Sequence, residues 1–73
     1  MDIYLEVNAL AGSSIDRTCT QVVELADRIC IPVHFRFNGV TCIAHPGDKA
    51  GELATAWERE LKSDHQYKVA RGK

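Results

Sequence analysis

Residues 33–44 read Val-His-Phe-Arg-Phe-Asn-Gly-Val-Thr-Cys-Ile-Ala, and they decide the fold. Asn-Gly between two β-rich runs is a strong short hairpin signal, because both central positions of a type I′ turn need positive φ. A two-residue turn fixes the register. Phe37 then faces Val40, Phe35 faces Cys42, and Val33 faces Ala44. Alternation puts those six side chains on one apolar face. His34 with Ile43, Arg36 with Thr41, and Pro32 with His45 fall on the other.

Upstream, residues 15–30 separate on a helical wheel. Ile15, Cys19, Val22, Val23, Leu25, Ala26, Ile29 and Cys30 share one side, and the charged and amide residues share the other. Ser13 or Ser14 suits the N-cap, and Pro32 ends the helix. Further upstream, Ile3, Leu5 and Val7 alternate with Tyr4, Glu6 and Asn8, as in a half-buried strand. Downstream, Pro46-Gly47-Asp48 reads as a turn with Asp48 as the next N-cap. Ala50, Leu53, Ala54, Trp57 and Leu61 then form a second helical stripe. Residues 64–73 read as either a short edge strand or a loose tail, with Arg71, Gly72 and Lys73 frayed.

The order β-α-β-β-α, with a last β as an option, predicts one α/β (α+β) domain over residues 1–73, a two-layer sandwich. The expected arrangement is a split β-α-β, with the hairpin's second strand beside the first strand. With the last strand it becomes a minimal ferredoxin-like domain. Trp57, Phe35, Phe37, Leu5 and Val22 are the expected core cluster. No internal repeat, low-complexity stretch or linker is visible.

Seventy-three residues with 45% hydrophobic and 26% charged content suit a folded domain rather than a disordered one. Nine Lys and Arg against ten Asp and Glu leave a net charge of −1, which excludes a uniformly basic nucleic-acid coat. No segment has the length of a membrane span, and no basic-then-apolar leader opens the chain. Three cysteines are an odd number for a disulfide framework, so reduced thiols and a cytoplasmic setting are expected.

Several kinds of site chemistry are weighed and set aside. Cys30, His34, Cys42 and His45 are zinc-ligand types, but the hairpin register sends Cys42 to one face and both histidines to the other. No metal and no other cofactor is therefore expected. Buried thiols make poor nucleophiles, and no GxSxG, HExxH or phosphate-binding loop is present. Ala11-Gly12-Ser13-Ser14 precedes a helix, with a capping turn as its simpler reading. A chain this short leaves little room for a ligand pocket. No catalytic residue is assigned, and the expectation is a protein that is not an enzyme.

What remains is the sheet face that two helices leave bare. Tyr4, His34, Arg36, Thr41, Ile43 and His45 are the expected partner-binding residues there. Tyr and Arg are enriched among interface anchors, and an exposed Ile gains by being covered. A solvated face is the plain alternative, since antiparallel sheets commonly have one. A single predicted aromatic and a single clear cation make nucleic acid the second reading.

Between Leu25 and Leu61 the chain resembles small uncharacterised accessory proteins encoded by tailed phages and prophages. The likeness lies in the helix end LADRIC, the strand IPVHFRFNGV, the Pro-Gly-Asp turn and a short helix ending ELK. That resemblance implies a factor that binds and modulates or inhibits a host protein, defence systems included, in the host cytoplasm. It transfers no catalytic residue. The expected partner is an unidentified protein, with a homodimer as an option and no membrane.

Overall fold

The computed structural model describes residues 3–8 and 14–72. Six elements follow in order: β1 (Leu5–Glu6), α1 (Ile15–Ile29), β2 (Val33–Phe37), β3 (Val40–Ala44), α2 (Ala50–Leu61) and β4 (Val69–Arg71). The predicted two-layer α/β sandwich is what forms, and the segment left open at the C-terminal end is a strand.

The hairpin pairs as its turn dictates: Val33 with Ala44, His34 with Ile43, Phe35 with Cys42, Arg36 with Thr41, and Phe37 with Val40. Asn38 at φ 50° and Gly39 at φ 81° supply the two left-handed positions. Val33, Phe35, Val40, Cys42 and Ala44 are buried, and both helices pack on that face through Cys19, Val22, Val23, Ala26 and Leu53. Ala70 of β4 completes this core.

Ser14 caps α1, its hydroxyl accepting from the Arg17 amide at 3.2 Å. Ser13, the alternative cap, and residues 9–12 before it lie outside the described residues. Cys30, expected on the buried stripe, is instead the C-cap at φ 59°, and its left-handed turn leaves the residue exposed. Pro32 follows two residues later, a common sequel to such a cap.

Asp48 does not cap α2. Lys49 occupies that position without a side-chain hydrogen bond. The buried Asp48 carboxylate instead accepts from the His45 amide at 2.9 Å, and the Asp48 amide donates to the His45 carbonyl at 3.1 Å. Gly72, expected to fray, is buried against that carboxylate.

The strand order corrects the sequence expectation. It is β1-β2-β3-β4, so the first strand lies beside the hairpin's first strand and not its second. β1 runs parallel to β2, with Leu5 opposite Val33 and Glu6 opposite His34. β4 runs parallel to β3, with Thr41 opposite Val69 and Ile43 opposite Arg71. The sheet is therefore two parallel β-α-β units joined by the antiparallel hairpin, which is not the ferredoxin-like order.

The two units point in opposite directions yet step the same way across the sheet, and both helices lie on one face. Their crossovers must then have opposite hands. One of the two is left-handed, a connection found in only about 2% of such units.

The expected core is revised at three residues. Phe35 and Val22 are buried, Phe37 and Trp57 are half-buried, and Leu5 is exposed. Trp57 sits at one margin of the core. Its Nε1 donates to the Phe37 carbonyl at 2.9 Å, and its ring meets the Phe37 ring edge to face at 5.5 Å.

Candidate interaction surface on the open sheet face

Both helices cover one side of the sheet, so the residues of opposite parity form its second face. β1 contributes Glu6, with Tyr4 just before it, β2 contributes His34 and Arg36, and β3 contributes Thr41 and Ile43. β4 adds Val69 and Arg71, level with Thr41 and Ile43. The hairpin register alone predicted the placement of His34, Arg36, Thr41 and Ile43.

Tyr4 and His34 form a stacked pair on this face. Their rings stack at 3.9 Å between centroids and 15° between planes. Tyr4 nevertheless stays 52% exposed, so one face of the stack is free for a partner. Arg36 is exposed and Thr41 half-buried.

Two of the expected site residues behave differently. Ile43 was expected in water but is only 9% exposed. It lies on a central strand, flanked at the same level by His34 on β2 and Arg71 on β4. It is a packing residue at the middle of the patch. His45 lies just past β3 and is drawn toward the turn before α2, its Nδ1 3.7 Å from the Asp48 carboxylate.

Val69 and Arg71 were missed. The only signal was the faint alternation of Tyr67 and Val69, which continues to Arg71. Tyr67 itself lies outside β4 and is exposed.

The His34 imidazole is held below its ordinary pKa, first by burial. The Glu6 carboxylate opposes that shift, and the charges of His45 and Arg71 add to it. A lowered folded value means that the fold favours the neutral ring. Its contribution to stability is complete above about pH 6.5 and declines as pH falls from there through the folded value. In an NMR titration the His34 ring should have a midpoint below about 6.5. Glu6→Gln should lower it further, and Arg71→Ala should raise it. A wild-type midpoint at or above the ordinary value is incompatible with this arrangement.

Cys19 and Cys42 face the other way. Burial pushes Cys19 up to about 11, with Asp16 adding to the shift, and Cys42 up to about 12, with Cys19 adding. At neutral pH neither is a thiolate, the form that attacks electrophiles or binds metal. Cys42 lies on the core face, away from His34 and His45. Among the described residues no group of three or more His, Cys, Asp or Glu side chains is placed to hold a metal ion. Among them, too, no helix is long and apolar enough to cross a membrane.

A concavity was not foreseen from chain length. A groove of about 910 Å³ runs along α2 beside the C-terminal end of β4, lined in part by Lys49, Glu52, Thr55, Arg59 and Arg71. Its three cations are spread along the groove, and Thr55 donates its hydroxyl back to the Gly51 carbonyl at 2.9 Å.

Comparison with known proteins brings no match among family models, curated proteins or solved structures.

Proposed function

We propose that this protein is a non-enzymatic interaction module that binds a protein partner through the open sheet face. One observation carries the reading: helices cover only one side of a four-stranded sheet, and the bare side presents a half-exposed Tyr4 stacked on His34, beside Arg36, Val69 and Arg71. Aromatic and Arg side chains around a packed apolar centre are the composition of an interface hot spot. The burial of Cys19 and Cys42 in the core, away from the open face, supports the non-enzymatic part. The phage-type resemblance of residues 25–61 points to a host protein as partner, met in the cytoplasm, with inhibition or redirection as the outcome.

The test is a Tyr4→Ala/Arg36→Ala/Val69→Ser variant. Ile43 is left intact, because at its depth a substitution tests the fold. A partner captured from host lysate is purified and its affinity measured with both forms. The variant should melt like the wild type and bind at least about 100-fold more weakly, as hot-spot losses predict. Retention of wild-type affinity would falsify the open-face reading.

Arg71 favours a second reading on the same face. It gives the patch a second arginine, on the sheet edge opposite Tyr4, and cations and an aromatic on one face suit single-stranded nucleic acid. Salt separates the two. Nucleic-acid binding falls steeply between about 50 and about 200 mM salt, whereas contact through Tyr4 and Val69 changes little.

A further inference from the structure

We propose that β1 pairs antiparallel with β1 of a second copy about a two-fold axis at Leu5, so that two sheets join edge to edge. This contact is made by the backbone edge of β1 and by Leu5, Ile3 and Val7 on the helix side, and Leu5→Lys tests it apart from the open-face reading.

The first ground is the unused edge. β1 is held to β2 by the Leu5 amide donating to the Pro32 carbonyl at 3.0 Å and the Val7 amide donating to the His34 carbonyl at 2.9 Å. Backbone alternation then turns the amides and carbonyls of Tyr4 and Glu6 to the opposite edge. Among the described residues nothing on that side pairs with them. β1 is the first strand of the sheet order, and among the described residues no strand lies beyond it. An open row of this kind is a template for another strand.

The second ground is apolar. Ile3 is 67% exposed and Leu5 38% exposed, on the side of the sheet that the helices cover elsewhere. α1 packs over β2 and β3 and does not reach β1. Two large aliphatic side chains are left at a sheet edge that also lacks hydrogen-bond partners. A solvated face carries no such coincidence.

The third ground is register, and it selects the occupant. Residues 3–7 read Ile-Tyr-Leu-Glu-Val. A two-fold axis at Leu5 sets Leu5 against its own copy, Ile3 against Val7, and Tyr4 against Glu6. Every apolar residue on the helix side then meets an apolar residue. The outward amides of Tyr4 and Glu6 become the hydrogen-bonded pairs, and Leu5 becomes the close, non-hydrogen-bonded pair. Moving the axis to Glu6 would oppose two like charges, which is unfavourable. The strand is complementary to itself in the way that a two-fold interface requires.

Sedimentation equilibrium of the wild type should show the mass of two chains as concentration rises. Leu5→Lys, which places two ammonium groups at the axis, should weaken the dimer at least about tenfold. Leu5→Cys in a Cys30→Ser background should cross-link to a covalent dimer under mild oxidation, because paired Cα atoms lie about 4.5 Å apart there. Arg36→Cys in the same background is the control and should stay a single chain. The cross-link needs no destabilising change, so it decides the matter even if Leu5→Lys fails to fold. A wild type of single-chain mass at every concentration overturns the proposal. So does a dimer that survives Leu5→Lys, or a Leu5→Cys that cross-links no faster than Arg36→Cys.

Discussion

Phe35→Ala should lower the unfolding free energy by about 3–5 kcal/mol, the range for emptying a buried aromatic site. Small domains are held by only about 5–15 kcal/mol, so much of this chain would then be unfolded near 37 °C. Phe35 is 1% exposed and lies at the middle of β2 opposite Cys42, in the cluster that both helices share. Neighbours from several elements would have to move together to close the hole. Trp57 is the instructive contrast. Sequence alone ranks the two equally, yet Trp57 is half-buried at the margin of the core, where it packs on the cluster and meets Phe37 through one hydrogen bond and one edge contact. Trp57→Ala should cost clearly less. Urea unfolding of the two variants checks the ranking. A Phe35→Ala protein with a wild-type midpoint, or one more stable than Trp57→Ala, would contradict this account of the core.

Gly72→Ala should be the most damaging single-methyl change near the C-terminal end. A Cβ there would sit 2.5 Å from Asp48 Oδ2 and 2.7 Å from its Cγ. That carboxylate has no free space to retreat into, because its side chain is 1% exposed. It also holds the His45 amide. Overpacking costs about 1–3 kcal/mol, and a displaced charged hydrogen bond about 1.5–3 kcal/mol more. The expected loss is about 3 kcal/mol, with β4 detaching first. Asp48→Ala removes both the obstacle and the bond, so Gly72→Ala should cost far less in that background. A double-mutant cycle measures the difference as a coupling energy. Independent, additive losses would show that the two residues do not meet.

The hairpin was legible because a two-residue turn admits one register, and alternation then assigns every side chain. The stripe of α1 was legible for the same reason of period. Alternation says which face a residue takes, but it is silent about which neighbour a strand takes. Leu5 and Val7 look the same whether β1 lies beside β2 or β3, because the bonds that decide it are backbone bonds to Pro32 and His34. Right-handedness favoured the ferredoxin-like order, and this chain departs from that rule in one unit. Cys30 was misplaced because nothing in a cysteine announces a left-handed cap, a position usually taken by Gly.

Ile43 and Asp48 show a second limit. Alternation set Ile43 on the bare face, and residue type set Asp48 at a helix start. Burial depends instead on what stands beside a residue, and both are enclosed by the segment around β4, which the sequence barely signals. The same gap hid Arg71 from the candidate surface.

The opposite hands of the two crossovers bear on how such a chain arose. Tandem duplication of one β-α-β ancestor yields two units of the same hand, which a rotation superimposes. A right-handed and a left-handed unit cannot be superimposed by any rotation. The halves of this protein are thus not copies of one another, in keeping with the lack of an internal repeat. The resemblance between β1-α1-β2 and β3-α2-β4 is one of element order alone.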